Sequence, residues 1–391
     1  MATFNRADIL LPKTDMKKWS VVACDQFTSQ KEYWQETEKI VGVSPSTLNL
    51  VFPEAYLSEG GGRIEKINNT MQKYLDDGLF KEYKNSLIYI ERTIGNSVRQ
   101  GLIGAIDLED YDFNKGAKSK IRATEGTVLE RIPPRVKIRK DAPLELPHVM
   151  ILLDDIEKTV IEPLEIAEKE KLYDFELMQQ GGHLKGYLLS EDAMEQAEKA
   201  ILALPEPDGL LLAVGDGNHS LATAKTCWED IKKNLTEEEK KNHPARFCLV
   251  ELVNIHSDAL VFEPIHRVVF GVDADEVLAE LKKIETEDGH KITYITEKGE
   301  GEITLSFEDK LAVGALQKFI DKMGYEVDYI HGTDVTRELG KKSGNIGFLL
   351  PKPDKSSLFP SVIKDGALPR KTFSMGEANE KRYYTEAKRI K

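Results

Sequence analysis

The stretch that decides the fold runs Leu210-Leu-Leu-Ala-Val-Gly-Asp-Gly-Asn-His-Ser-Leu-Ala-Thr-Ala-Lys225. Its apolar run, Leu210 to Val214, predicts a short buried strand. Gly215, Asp216, Gly217 and Asn218 interrupt that run with residue types that tolerate tight or left-handed backbone. Leu221, Ala224 and Trp228 then recur on one face at helical spacing. A strand therefore delivers a polar turn, and the turn opens a helix.

That order of elements makes an anion site. The first N–H groups of a helix have no internal partner, and the helix dipole adds partial positive charge there. Gly215 and Gly217 let a phosphate or carboxylate come close to the backbone. Asp216, Asn218, His219 and Ser220 put four polar side chains around the same place. Asp216 is suited to a metal or to orienting a hydroxyl, and His219 to exchanging a proton near neutral pH. The same residues equally fit a plain capped turn, with Asn218 or Ser220 as N-cap, Asp216 in the turn and His219 bonded locally.

A length of 391 residues with 40% hydrophobic residues supports two or three domains or one elaborated one. The formal net charge of −13 argues against a nucleic-acid backbone or an anionic membrane as partner, but leaves room for a local phosphate site. Cys24, Cys227 and Cys248 are too few and too scattered for a disulfide framework, which fits a reducing compartment. The short apolar run Ile9 to Leu11 is not the core of a signal peptide, and no stretch has bilayer-spanning length. A cytoplasmic protein is expected, with its oligomeric state left open.

Outward from the central stretch, Ala7–Leu11 and Trp19–Cys24 read as strands, the second ending at Asp25, where α/β proteins often place site residues. An ordinary turn aspartate is the other reading of Asp25. A helix is expected over Lys31–Val41, and a longer one over Pro53–Leu75 broken at Gly60–Gly62. Ser86–Thr93 and Val98–Ile106 form a hairpin. Arg122, Arg131, Arg135, Lys137 and Arg139 make the most basic segment, suited either to an anion pocket or to a solvated face paired with glutamates. Pro147–Leu153 is a buried strand, followed by a helix over Ile156–Glu170 whose start carries Asp154 and Asp155. Asp174–Gln179 and His183–Leu189 are a strand pair, and Glu191–Leu204 an amphipathic helix. Phe247–Asn254 and Ala259–Phe262 read as a hairpin. From Val272, helix and strand alternate, so residues 1–271 are expected as a main domain and 272–391 as a C-terminal α/β subdomain. The charged tail after Glu377 reads as a peripheral helix.

Five features occur in order: Arg122-Ala-Thr-Glu125, the central Gly-Asp-Gly-Asn-His-Ser, Ile265-His-Arg267, Phe348-Leu-Leu-Pro-Lys-Pro353 and Leu368-Pro-Arg-Lys-Thr372. Together they make the chain resemble the bacterial family known as domain of unknown function 1015. That family's usual central box, A-D-G-H-H-R-Y, looks like the box of the ParB and sulfiredoxin superfamily, which includes free-serine kinases. The resemblance implies a nucleotide phosphate at this turn, with phosphotransfer or nucleotide hydrolysis as the activity. Asp216, Gly217 and His219 match the box. Asn218 stands where the first His is common and Ser220 where Arg is common, so a bidentate phosphate contact is replaced by a neutral hydroxyl unless another arginine compensates.

The expected fold is α/β or α+β, with one main mixed sheet carrying the strand–turn–helix anion site and a C-terminal α/β elaboration. The expected function is a phosphotransferase or nucleotide-dependent enzyme acting on a small, amino-acid-like or hydroxylated substrate, with ATP or ADP and Mg2+. Gly215, Gly217, Asn218 and Ser220 would cradle phosphate, and His219 and Asp216 would carry protons or position the ion. Asp25 and Glu125 are candidate bases, with Arg122, Arg131, Arg135, His266 and Arg267 as anion contacts. No G-x-x-x-x-G-K-[ST] exists, which argues against a P-loop mechanism. The alternatives are a nucleotide- or metabolite-binding protein without turnover, and a metal-dependent hydrolase built from His219, His183 or His266 with Asp216, Asp154 or Asp155.

Overall fold

The computed structural model describes residues 2–59, 62–127, 129–308, 311–366, 368–369 and 371–391. Gly60 and Gly61, in the expected helix break, lie outside the described residues. The chain divides into two compact units. One comprises Met1–Ala123, Thr127–Leu260 and Glu377–Lys391, the other Thr124–Gly126 and Val261–Gly376.

The first unit is built on a ten-stranded mixed sheet. Its path runs Lys169–Glu176, His183–Leu189, Ile88–Ile94, Ser97–Asp107, Phe247–Asn254, Met150–Leu153, Leu212–Asp216, Ile121–Ala123 and Tyr111–Asp112, with Phe4–Asn5 added beside Ser97–Asp107. Leu212–Asp216 pairs antiparallel with Met150–Leu153 and parallel with Ile121–Ala123. Interior strands covered on both faces need continuous apolar runs, and Met150–Leu153 is buried at every position. Leu212 and Val214 share a core with Leu221, Ala224 and Trp228 of the following helix. A separate core holds Trp19, Trp34, Ile88 and Leu144. The hairpin of Ile88–Ile94 and Ser97–Asp107 turns at Gly95, with φ 57°.

The second unit is an antiparallel sheet in the order Gly299–Leu305, Glu285–Thr296, Asn345–Leu349, Phe262–Phe270 and Glu326–His331, with Phe373–Met375 also on Phe262–Phe270. Helices Ala274–Lys282, Ala312–Met323, Thr333–Gly340 and Leu358–Asp365 accompany it. This gives the helix–strand alternation expected after Val272. Among the described residues no helix is long and apolar enough to cross a membrane.

Four local expectations are corrected. Trp19–Cys24 is not a sheet strand. A helix ends at Trp19, and the segment beyond it runs extended along the C-terminal tail, through Ala23 N–H to Arg382 O at 3.0 Å and Tyr384 N–H to Val21 O at 2.9 Å. Ile156–Glu170 is not a helix. The buried Asp155 carboxylate accepts from Thr159 N–H at 2.6 Å and Val160 N–H at 2.8 Å, which closes a turn instead, and a strand follows from Lys169. Phe262 does not form a hairpin with Phe247–Asn254, because Phe262–Phe270 belongs to the other unit's sheet.

The fourth correction concerns the tail, which is not a peripheral helix. Tyr383, Tyr384 and Ala387 are buried, and Lys388–Arg389 pairs with Leu144–Glu145. Its charges find partners inside. Arg382 lies 2.9 Å from Glu251 and 2.5 Å from Glu386, and Glu251 also takes Arg99 at 3.1 Å. Paired in this way, charged side chains tolerate burial that composition alone argues against.

Candidate functional site

The strand–turn–helix unit forms as its residue types require. Gly215 and Asp216 end the strand, and Gly217 adopts φ 81°, ψ 25° as the residue before the helix Asn218–Ile231. A side chain at Gly217 would be strained by that dihedral. Its Cβ would also lie 3.0 Å from both Cα and Cγ2 of Val149. The pairing with Met150–Leu153 shifts register between Val214 and Asp216, as at a β-bulge. One carboxylate oxygen accepts from Gly217 N–H at 2.9 Å, and the other lies 3.3 Å from Lys381 Nζ. Lys381 is delivered by the tail. Arg92, itself buried, holds that segment by donating to the carbonyls of Asn379 at 3.0 Å and Lys381 at 3.4 Å.

Along the first helical turn, Asn218 Oδ1 is buried with no hydrogen-bond partner. His219 is half-buried, and its carbonyl accepts from Thr223 Oγ1 at 2.7 Å. Ser220 Oγ lies 3.3 Å from Nε2 of His148, a buried residue just before the strand Met150–Leu153. His148 Nδ1 lies 3.0 Å from the Tyr384 hydroxyl, whose ring stands at 90° to the imidazole. Asp25 Oδ2 lies 3.8 Å from His148 Nε2, with its side chain 32% exposed. Burial pushes the Asp25 carboxyl up, but His148, the Gln26 amide and Lys381 outweigh it and hold the group below its ordinary value. Asp25 and Asp216 thus share Lys381 as a counter-charge.

Cys24 and Tyr384 close the other side. Tyr384 donates its hydroxyl proton to Cys24 Sγ at 3.1 Å and accepts from Cys24 N–H at 3.2 Å. Burial, with Asp25 next, pushes the Cys24 thiol up to about 11, so the sulfur is a protonated packing group and not a thiolate. Burial and then Cys24 likewise raise the Tyr384 phenol.

A cavity of about 440 Å³ opens against this cluster, and Cys24, His148, Ser220 and Tyr384 line it. Most of its remaining wall is apolar, including Phe52, Met71, Ile138 and Leu146. Arg131 and Arg135 lie on the wall as well. Arg135 is on the helix Ile132–Arg139, which packs on Asn218–Ile231, and it is ion-paired with Glu54, also on the wall. The arrangement combines an apolar chamber, guanidinium groups and a helix N-terminus flanked by Lys381.

The other sequence candidates have different surroundings. Arg122 is buried and donates to the carbonyls of Ser119 and Asp208, with the Asp208 carboxylate 3.5 Å away. Glu125, His266 and Arg267 belong to the second unit, where Glu125 is bridged to Leu368. His266 accepts from Leu350 N–H at 3.1 Å, while Arg267 donates to Gln317 at 3.0 Å and lies over the Tyr329 ring. His183 bonds Asp174 and Glu176, and Asp154 bonds His256. Among the described residues no group of three His, Cys, Asp or Glu side chains is set to hold a metal ion.

Sequence reasoning passed over His148, Lys381 and Tyr384. The one local signal was a histidine directly ahead of a buried apolar strand. Lys381 and Tyr384 carried none, because they sit in a charged tail.

Among solved structures, a free-serine kinase variant in complex with ADP resembles the chain at TM-score 0.40 and 13% identity, over 75% of this chain and 93% of that one. A C-terminally truncated SbnI from Staphylococcus aureus does so at TM-score 0.36 and 12% identity, over 70% and 83%. A conserved hypothetical protein from Pyrococcus furiosus gives 0.35 and 12%, over 73% and 93%. No curated protein matches the chain. The model of the family described as "Protein of unknown function (DUF1015)" matches residues 6–353, and the chain belongs to that family.

Proposed function

We propose that the first unit is a small-molecule phosphotransferase that holds nucleotide phosphates at the turn Gly215–Ser220. The observation that carries this reading is the Asp216–Lys381 ion pair at the start of a helix whose Ser220 opens on a cavity lined by Arg131 and Arg135. The helix start, the glycine at φ 81° and the lysine all favour an anion there. The unpartnered Asn218 Oδ1 beside them is an acceptor open to a ligand hydroxyl or a water.

In this reading the donor is ATP or ADP with Mg2+. Asp216 would hold such an ion, because Mg2+ at phosphate sites takes one or two carboxylates and completes its shell with phosphate and water oxygens. The ion would neutralise phosphate charge. Lys381 and the helix N–H groups stabilise the charge that builds on the transferred group. His219 contacts phosphate from the first helical turn. The apolar chamber excludes water and takes the body of a small hydroxylated or amino-acid-like acceptor.

The test is a thermal-shift panel of ADP, ATP and pyrophosphate, with and without Mg2+, on wild type and Lys381→Met. A ligand at a hundred times its dissociation constant adds about 2.7 kcal/mol of stability. The expected result is a shift with nucleotide that Lys381→Met removes, and 31P spectra showing ATP consumed when hydroxylated amino acids are supplied. Stabilisation without turnover would favour a nucleotide-binding module, and a folded protein that no phosphate ligand stabilises would overturn the reading.

A further inference from the structure

Ser220 and His148 have the relation of a nucleophile and its base. Ser220 Oγ lies on the cavity wall, 3.3 Å from His148 Nε2. The other ring nitrogen of His148 faces Tyr384. The Tyr384 hydroxyl has one proton, donated to Cys24 Sγ, and its oxygen also accepts from Cys24 N–H. In the tautomer that makes His148 a base towards Ser220, Nδ1 carries the imidazole proton and donates it to the Tyr384 oxygen across the 3.0 Å contact. Nε2 is left with its lone pair, and it faces the Ser220 hydroxyl. Tyr384 fixes the ring from one side, and the Asp25 carboxylate, 3.8 Å from Nε2, stabilises the imidazolium that proton uptake would create.

We propose that Ser220 itself accepts the phosphoryl group, a step that rests on the phosphotransfer reading above. Ser220 Oγ attacks the γ-phosphorus of a nucleoside triphosphate and gives its proton to His148 Nε2. The new Oγ–P bond forms as the bond from the γ-phosphorus to the β,γ-bridging oxygen breaks, and a nucleoside diphosphate leaves with that bond's electron pair. The products are phosphoserine at 220, an imidazolium at 148 and the diphosphate. Arg131 lines the cavity on which Ser220 opens and offers a counter-charge to the new phosphate, beside Arg135 in its pair with Glu54. His148 is a catalytic residue in this scheme, and Tyr384 is a positioning residue.

The experiment incubates the full chain with ATP and Mg2+, follows intact mass over time, and maps the modified peptide after acid treatment. The expected result is one acid-stable phosphoryl group on Ser220, absent in Ser220→Ala. Loss of general-base help costs about a hundredfold or more in rate, so His148→Gln should slow labelling by that factor. Tyr384→Phe should slow labelling while leaving the ATP concentration for half-maximal rate unchanged. An acid-labile group, or one mapping to His148 or His219, overturns the assignment. ATP-dependent stabilisation of the wild type with Ser220 unmodified overturns this step and leaves the phosphotransfer reading standing. No stabilisation by ATP overturns both. Mapping on the wild type decides the matter even where a variant fails to fold.

Discussion

Replacing Glu251 by Gln tests the buried network that carries the tail. Glu251 is fully buried, and its two oxygens take Arg99 at 3.1 Å and Arg382 at 2.9 Å. Arg92 adds a third buried guanidinium nearby. Burial first and then repulsion from Arg99 pull its pKa down to about 9, with Glu251 opposing. Gln keeps the volume but removes the charge, so three arginines are left with Glu386 as the counter-charge that remains to Arg382. Each hydrogen bond to a charged group is worth about 1.5–3 kcal/mol, and breaking a buried pair costs about 3–5 kcal/mol. The expected loss is therefore about 3–5 kcal/mol, read as a lower urea midpoint of the first unit. Trypsin supplies a local readout, since cleavage after Lys381 or Arg382 requires the tail to leave its buried seat. The variant should be cut there under conditions in which wild type is not. A loss under about 1 kcal/mol with unchanged trypsin resistance would refute the account of the tail as held by this network.

Three more outcomes follow from particular residues. Gly217→Ala combines a left-handed dihedral, about 1–2 kcal/mol for a residue with Cβ, with the 3.0 Å approach to Val149 Cα. It should cost about 2–3 kcal/mol in chemical denaturation and abolish nucleotide-dependent stabilisation, and an unchanged denaturation midpoint would contradict the geometry of the turn. Cys24, with its thiol raised to about 11 by burial and then Asp25, should resist alkylation at pH 8 in the folded protein and react once unfolded. Rapid native labelling mapped to Cys24 would count against the closed cluster. His266 is lowered to about 4, by burial first and Arg267 second. The unfolded chain takes up this proton near pH 6.5 and the folded one only near 4. Stability is thus complete at neutral pH and falls as pH drops from 6.5 to 4, by up to about 3 kcal/mol. His266→Gln should remove that part of the pH dependence, and an equal slope in both proteins would refute it.

The strand–turn–helix unit was legible because its causes are local. The apolar run, the two glycines and the helical spacing of Leu221, Ala224 and Trp228 lie within a few turns of one another. The mixed α/β class and the family were legible for related reasons: periodicity reports local elements, and ordered motifs report descent. The helix expected after Asp155 failed because one carboxylate closed a turn on Thr159 and Val160, a competition that periodicity does not register.

The surroundings of the turn belonged to tertiary structure. His148 meets Ser220 across 72 residues and Tyr384 across 236. Lys381 reaches Asp216 from a tail whose carbonyls Arg92 grips. A tail read as Glu-Lys-Arg-Tyr-Tyr-Thr-Glu-Ala-Lys-Arg looks solvated, since charged side chains are buried only against partners, and its partners, Glu251 and Glu145, lie more than a hundred residues away in the chain. Local sequence was enough for the strand, the glycine turn and the helix start that follows it. Tertiary structure alone set which histidine, which lysine and which cavity stand beside it, because contacts between distant segments have no local signature.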